Sequence, residues 1–390
     1  MTRPDKVHLA LLAVIYLAFV SLGLPDGVLG VAWTAMRHDL NQPLATVGLI
    51  SIMVTLSSAT CTFFSHRLIT HLGTGPLVML SGFLTGLALL GFSMAPGFGW
   101  LLVLAIPLGL GAGAVDAGLN HFVAAHYSSR HMNWLHGFWG IGATVGPLMM
   151  GSALLSPAGW HSGYQVIALL QLLMAVVLWL TLPLWKLENA TPPTDTQAEG
   201  SARHKPLAPQ ALWLAPLAFL LYVAAEMGVG LWAASILVNE RHTSAATAGL
   251  WVSFYFGSIT VGRFGVGLVA KRMGNRHLIR LGILTAMAGA TTFAIPGLPA
   301  PVSLFGLMLM GLGCAPIYPS MMHETARRFP AHVTGKVIGL QIGFSYIGVS
   351  VLPAACGLLA TYAGLVMVMP AIVLLLAALY GVTEWLNHLT

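Results

Sequence analysis

The chain has 390 residues, of which 57 % are hydrophobic and only 7 % are charged, with a formal net charge of +6. A soluble domain contains about 25 % charged residues, so this composition excludes an ordinary soluble protein and favours one that spans a membrane several times. The basic residues are scattered between apolar runs, which argues against a nucleic-acid-binding surface. The first apolar run, residues 9–33, is longer than the apolar core of a signal peptide and is expected to be a span.

Apolar runs in chain order predict the membrane topology. A helix needs about 20 apolar residues to cross the hydrocarbon core, and runs of this kind predict twelve transmembrane helices. They lie at residues 9–33, 44–64, 75–95, 99–124, 135–155, 162–184, 211–237, 245–270, 277–296, 301–322, 334–358 and 363–386. The polar stretch 186–209 predicts a cytoplasmic linker. We therefore expect an all-α membrane protein with a six-helix bundle at 1–185 and a second, pseudo-symmetric one at 210–390.

The positions of Lys and Arg predict the orientation. With the N-terminus inside, fourteen of them fall in cytoplasmic segments, and only Arg37 and Arg241 fall in external loops; Arg263 lies within span 8. This asymmetry predicts that both termini are cytoplasmic, and we expect the bacterial inner membrane as the location.

The two halves also repeat in sequence. Leu72-Gly73 matches Met273-Gly274 at an offset of 201, and Gly-Leu-Gly at 109–111 matches Gly-Leu-Gly at 311–313 at an offset of 202. Two matches at nearly one offset favour duplication of a six-helix unit, which is one of the plans on which transporters are built.

Three carboxylates lie deep inside predicted spans: Asp26, Asp116 and Glu226. An ionised side chain at the bilayer centre costs at least about 2.5–3.5 kcal/mol, so each is a candidate functional residue; the alternative is an acid that only holds helices together. Helix rise places Asp26 in the outer half of the membrane and Asp116 in the inner half. Because burial favours the neutral carboxyl group, the acids suit proton coupling. Pro25 removes a helix hydrogen bond, so we expect span 1 to open beside Asp26.

Polar and aromatic side chains in the spans are candidates for solute binding. Asn120 shares a helix face with Asp116, and an acid with an amide neighbour can bind the hydroxyl groups of a polar solute. The full predicted set is Asn120, His136, Trp139, Glu226, Trp232, Tyr255 and Gln341. The alternatives are an interfacial aromatic belt for His136 and Trp139, an interfacial anchor for Trp232, and helix packing for Tyr255. The fifteen His and three Cys show no metal-ligand spacing, so neither a metal nor a cofactor is expected.

Several motifs resemble the major facilitator superfamily. They are Gly-Arg-Phe-Gly at 262–265 before Lys-Arg-Met-Gly at 271–274, and a degenerate copy of the family's signature loop at 65–73, which lacks the usual acidic residue. Four others are similar to the fucose permease branch, including related glucose transporters. These are Leu-Pro-Asp-Gly at 24–27, the span 4 segment 111–120, the span 5 segment 135–143 and the span 7 segment 225–232.

The resemblance implies a function. In fucose permease, the acids of spans 1 and 4 are linked to sugar recognition and proton coupling, which implies these roles for Asp26 and Asp116; the span 4 acid there is Glu. We therefore expect a proton-coupled symporter of a monosaccharide or a similar small polar solute, acting as a monomer by alternating access. A proton-driven exporter of amphipathic compounds and a sodium-coupled sugar symporter are the alternatives. No nucleophile–base pair indicates an enzyme.

Overall fold

The computed structural model of the chain describes residues 3–127, 129–188 and 208–390. Residues 189–207, which make up most of the predicted linker, lie outside the described residues. The described residues divide into two compact units, the first within Met1–Gln42 and Leu49–Thr196, the second within Pro43–Gly48 and Gln197–Thr390.

The described residues of unit 1 are almost entirely helical. The helices are α1 (Arg3–Gly23), α2 (Val28–Asp39), α3 (Val47–Leu72), α4 (Thr74–Ser93), α5 (Phe98–His126), α6 (Ser129–Ala153), α7 (Gly159–Leu180) and α8 (Leu182–Glu188). Helices α1 and α2 together form the first predicted span, and α7 with α8 forms the sixth.

Unit 2 follows the same plan. Its helices are α9 (Ala211–Glu240), α10 (Ala245–Met273), α11 (Asn275–Ala294), α12 (Ala300–Cys314), α13 (Ile317–Arg328), α14 (Ala331–Ala363) and α15 (Val368–Leu389). The predicted span 301–322 was expected to be one helix, but the structure divides it between α12 and α13. The reason is Pro316, which has no N–H group to continue the hydrogen-bond ladder.

Both units consist of membrane-length helices. Among the described residues, ten segments are long and apolar enough to cross a membrane. Helices α6 and α10, with 25 and 29 residues, are also long enough to cross, although they are not among these ten segments. With these two, the described part of the chain supplies the twelve predicted spans, and the protein is an all-α, multi-pass membrane protein.

The predicted repeat is visible in the glycine contacts of each unit. Gly109 of α5 packs on the backbone carbonyl of Val54 in α3, and Gly311 of α12 packs on that of Tyr255 in α10. Residues 54 and 255 are again 201 apart, so each pair of contacts has an equivalent in the other unit. Any larger side chain at either glycine would collide with backbone, so the small residues fix how closely these helices approach.

One end of unit 2 is held together by ion pairs. Glu324 of α13 binds Arg276 of α11 at 3.2 Å and Arg327 at 3.0 Å, and Arg280 binds Glu384 of α15 at 2.5 Å. The starts of α9 and α11 and the ends of α13 and α15 lie at this end of unit 2. These helix termini are the ones predicted to be cytoplasmic.

Candidate functional sites

The first span opens where the sequence predicts it. Helix α1 ends at Gly23 and α2 begins at Val28, and Gly27 has φ = 72°, a left-handed conformation that glycine adopts without strain. Asp26 lies in this four-residue break, where its N–H group donates to the carbonyl of Gly23 at 3.1 Å. The carboxyl group therefore sits on irregular backbone between two apolar helices.

Trp139 of α6 forms a hydrogen bond with the side chain of Asp26. Its indole Nε1 donates to Asp26 Oδ2 at 2.8 Å. The contact is possible because α6 presents Gly142 and Gly146 to α1, where an added side chain would collide with the carbonyls of Val20 and Leu24. The sequence prediction treated Asp26 and Trp139 separately, and the structure brings them together.

Asp116 and Asn120 form a second polar pair in unit 1. The amide Nδ2 of Asn120 donates at 2.9 Å both to Asp116 Oδ1 and to the Asp116 backbone carbonyl. Both side chains are half-buried.

His136 lies on the same α1–α6 interface. Its ring packs edge-to-face on Phe19 with centroids 5.8 Å apart, and its neighbour Phe138 stacks on Tyr16 at 4.5 Å. One residue here was missed by the sequence prediction: the buried Gln171 of α7 donates to the Ser21 carbonyl at 2.7 Å. A lone amide in an apolar span was the available signal, since buried amides need partners.

Glu226 of unit 2 is part of an ion pair. Arg263 Nη2 of α10 donates to Glu226 Oε1 of α9 at 3.1 Å, and the two side chains are only 14 % and 6 % exposed. The sequence placed Arg263 inside span 8 without giving it a role. The signal was present, because a basic residue within a span normally pairs with an acid.

Phenol groups surround this ion pair. The hydroxyl of Tyr255 donates to the Glu226 backbone carbonyl, and that of Tyr222 donates to the Cys314 carbonyl, both at 3.0 Å. The pair is thus enclosed by α9, α10 and α12.

Trp232 and Gln341, two further residues of the predicted solute-binding set, form hydrogen bonds between helices of unit 2. Trp232 is fully buried and donates through Nε1 to the carbonyl of Pro353 in α14 at 2.8 Å. Gln341 is 1 % exposed and donates to Thr325 Oγ1 of α13 at 2.8 Å. Both side chains therefore join helices within unit 2.

Comparison with known proteins agrees with this architecture. The sequence model of the Major Facilitator Superfamily matches residues 15–353. The chain belongs to this superfamily. It is thus a membrane transporter of a small-molecule solute rather than an enzyme.

Relatives within the superfamily carry different solutes. The cis,cis-muconate transport protein of Acinetobacter baylyi is 21 % identical over 88 % of this chain and 86 % of its own length. The glucose/mannose transporter GlcP of Bacillus subtilis is 24 % identical over 63 % of this chain and 65 % of its own length. The fold is similar to that of a bacterial homologue of the human lysosomal transporter Spinster in an inward-facing, occupied conformation. That match has a TM-score of 0.77 at 13 % identity and covers 100 % of this chain and 98 % of the other.

Proposed function

We propose that the protein is a proton-coupled symporter of a monosaccharide or a similar small polar solute, working by alternating access. The observation that carries the proposal is the position of Asp26, an acid in the break of a membrane-spanning helix that accepts a hydrogen bond from Trp139. The resemblance to the fucose permease branch and the relative GlcP favour a sugar as the first solute to test.

Asp26 and Asp116 are proposed to carry the coupled proton. Each accepts a hydrogen bond from a neutral donor, Trp139 or Asn120, so neither has to give up an ion pair when it is protonated. Asn120, His136 and Trp139 are proposed to contact the solute in unit 1.

In unit 2, Glu226 is proposed to take part in proton coupling and, with Tyr255, in forming the solute site. Its protonation has to be accompanied by a change in its contact with Arg263. Trp232 and Gln341 are proposed to contribute to the solute site indirectly, by fixing the positions of α9, α13 and α14.

Transport in proteoliposomes tests the coupling. We expect labelled monosaccharides to be exchanged in counterflow, and to be accumulated when the outside is acidified in sodium-free buffer. Asp26→Asn is expected to lose accumulation, whereas the matched control Asp39→Asn is expected to keep it. Asp39 also accepts an indole hydrogen bond, from Trp160 at 2.6 Å, but it is exposed at the end of α2. Counterflow of lipophilic cations but of no sugar would refute the proposal, as would a requirement for sodium.

The membrane orientation is part of the proposal. We propose that both termini are cytoplasmic in a bacterial inner membrane and that a single chain is the transporting unit, since one chain supplies all twelve spans. A reporter fused after Thr390 that is active only in the cytoplasm tests the orientation, and light scattering of the purified protein in detergent tests the monomer. If that reporter is inactive and a reporter that works only in the periplasm is active at the same position, the proposed orientation is wrong.

A further inference from the structure

Unit 2 buries an acid and a base against each other inside membrane-spanning helices. Glu226 and Arg263 are 3.1 Å apart, with side chains 6 % and 14 % exposed. A well-packed apolar pair often holds two helices as well as a buried ion pair does. Holding α9 against α10 therefore does not by itself explain two charges within the membrane, where ionisable residues mark solute and ion pathways.

The surroundings of the pair are neutral. The other titratable groups that interact with it in the described part of the chain are Tyr222 on α9, Tyr255 on α10, Cys314 on α12 and Tyr318 on α13. Phenols and thiols are uncharged at pH 7. The local charge is therefore zero while the pair is intact, and it becomes +1 when Glu226 is protonated.

We propose that Arg263 binds a carboxylate group of the transported solute, and that protonation of Glu226 releases Arg263 to do so. A proton adds to a carboxylate oxygen of Glu226, the charge attraction to the guanidinium is lost, and the solute carboxylate takes the place of the Glu226 carboxylate. One proton and one monoanion then enter together, so the site remains neutral. This inference rests on the proposed function and adds to it a chemical group of the solute.

Charge and shape both select a carboxylate. One proton exposes one positive charge, which a carboxylate neutralises, whereas a phosphate dianion would leave a negative charge buried. The planar guanidinium also matches the two oxygens of a carboxylate, and such hydrogen bonds are about twice as strong as neutral ones. A hydroxylated acid, such as a sugar acid, would satisfy this site and remain similar in size to a monosaccharide.

Binding to the purified full-length protein tests the inference. Glucose and glucuronate form a matched pair that differs in one carboxylate, and benzoate adds an apolar carboxylate. Tryptophan fluorescence titrations at pH 6 and pH 8 are expected to show binding of the carboxylates that strengthens by up to about tenfold per pH unit as the pH falls, because one proton is taken up.

Three variants separate the roles. Glu226→Gln is expected to bind the carboxylates at pH 8 at least as tightly as the wild type binds them at pH 6, with no pH dependence. The double variant Glu226→Gln/Arg263→Gln leaves no unpaired buried charge. It is expected to bind the carboxylates roughly 10- to 100-fold more weakly than Glu226→Gln does, because a hydrogen bond to a charged group is lost. Arg280→Gln, which removes a half-exposed guanidinium paired with Glu384, is the control and should bind as the wild type does.

The results distinguish this inference from the proposed function. Wild-type carboxylate binding by the double variant, or no carboxylate binding at about 10 mM, ten times the upper end of ordinary KM values, overturns the inference. Proton-driven glucose uptake that is indifferent to loss of the ion pair would overturn it too, and would leave the proposed function intact. Carboxylate transport that depends on Arg263 but moves no proton would refute the proposed function and the release step, while leaving the carboxylate site in place.

Discussion

Removing one member of the Glu226–Arg263 pair is expected to destabilise the protein far more than removing both. Arg263→Gln leaves the Glu226 carboxylate, 6 % exposed, without its counterion in a membrane-spanning helix. Breaking a buried pair in this way costs about 3–5 kcal/mol. In a unit of this size, 1 kcal/mol corresponds to about 2–4 °C in Tm, so we expect Tm to fall by about 6–20 °C.

The double variant provides the comparison. In Glu226→Gln/Arg263→Gln two neutral amides replace two charges, so most of the lost stability should return, and the coupling energy in the cycle should exceed about 2 kcal/mol. The deficit of Arg263→Gln should also narrow as the pH falls, because a protonated Glu226 needs no counterion.

Thermal unfolding in detergent can be followed with a thiol-reactive fluorophore. Cys61, Cys314 and Cys356 are buried in the folded protein, so each becomes reactive only when the surrounding helices separate. If the single effects simply add, with a coupling energy below about 0.5 kcal/mol, the two side chains do not interact and the reasoning is wrong.

Three further substitutions test other contacts. Asp116→Asn should abolish uphill accumulation but permit some exchange, and unchanged uptake driven by a pH gradient would remove Asp116 from proton coupling. Gly109→Ala should destabilise by about 1–3 kcal/mol through overpacking against α3, whereas Gly99→Ala, in open space on the same helix, should have little effect on Tm. Trp232→Phe loses a buried hydrogen bond to α14 and should cost about 1–2 kcal/mol, whereas Trp213→Phe, at an exposed tryptophan, should cost almost nothing by the same thermal assay.

The sequence was sufficient to predict the fold because membrane spans are encoded locally. A run of apolar residues must satisfy its backbone hydrogen bonds within itself and therefore forms a helix. Pro25 and Gly27, on either side of Asp26, correctly located the break in the first span. Pro316 also interrupts a helix, but this break was not predicted because the apolar run 301–322 continues through it. The two helices α12 and α13 meet at that proline.

Partners across helices could not be predicted in the same way. Rarity identified Asp26, Asp116 and Glu226 as unusual residues, but hydrogen bonds such as that from Trp139 to Asp26 join residues 113 positions apart. They depend on helix rotation, which composition does not encode. Trp232 shows the limit most clearly, because an indole that stacks on a solute and an indole that donates to a backbone carbonyl have the same sequence signal.

The two units hold their acids by different chemistry, and this difference suggests an order of events. Asp26 and Asp116 accept hydrogen bonds from neutral donors, so protonation of either only weakens one charge-assisted hydrogen bond. Glu226 is paired with a guanidinium, so its protonation also costs a charge attraction unless another anion replaces it. A proton alone is therefore expected to load in unit 1, whereas protonation of Glu226 in unit 2 should be favourable only together with binding of a solute carboxylate to the released Arg263. Proton uptake by the solubilised protein should accordingly occur in two parts, one without solute that Asp26→Asn removes, and one that requires both a carboxylate and Glu226.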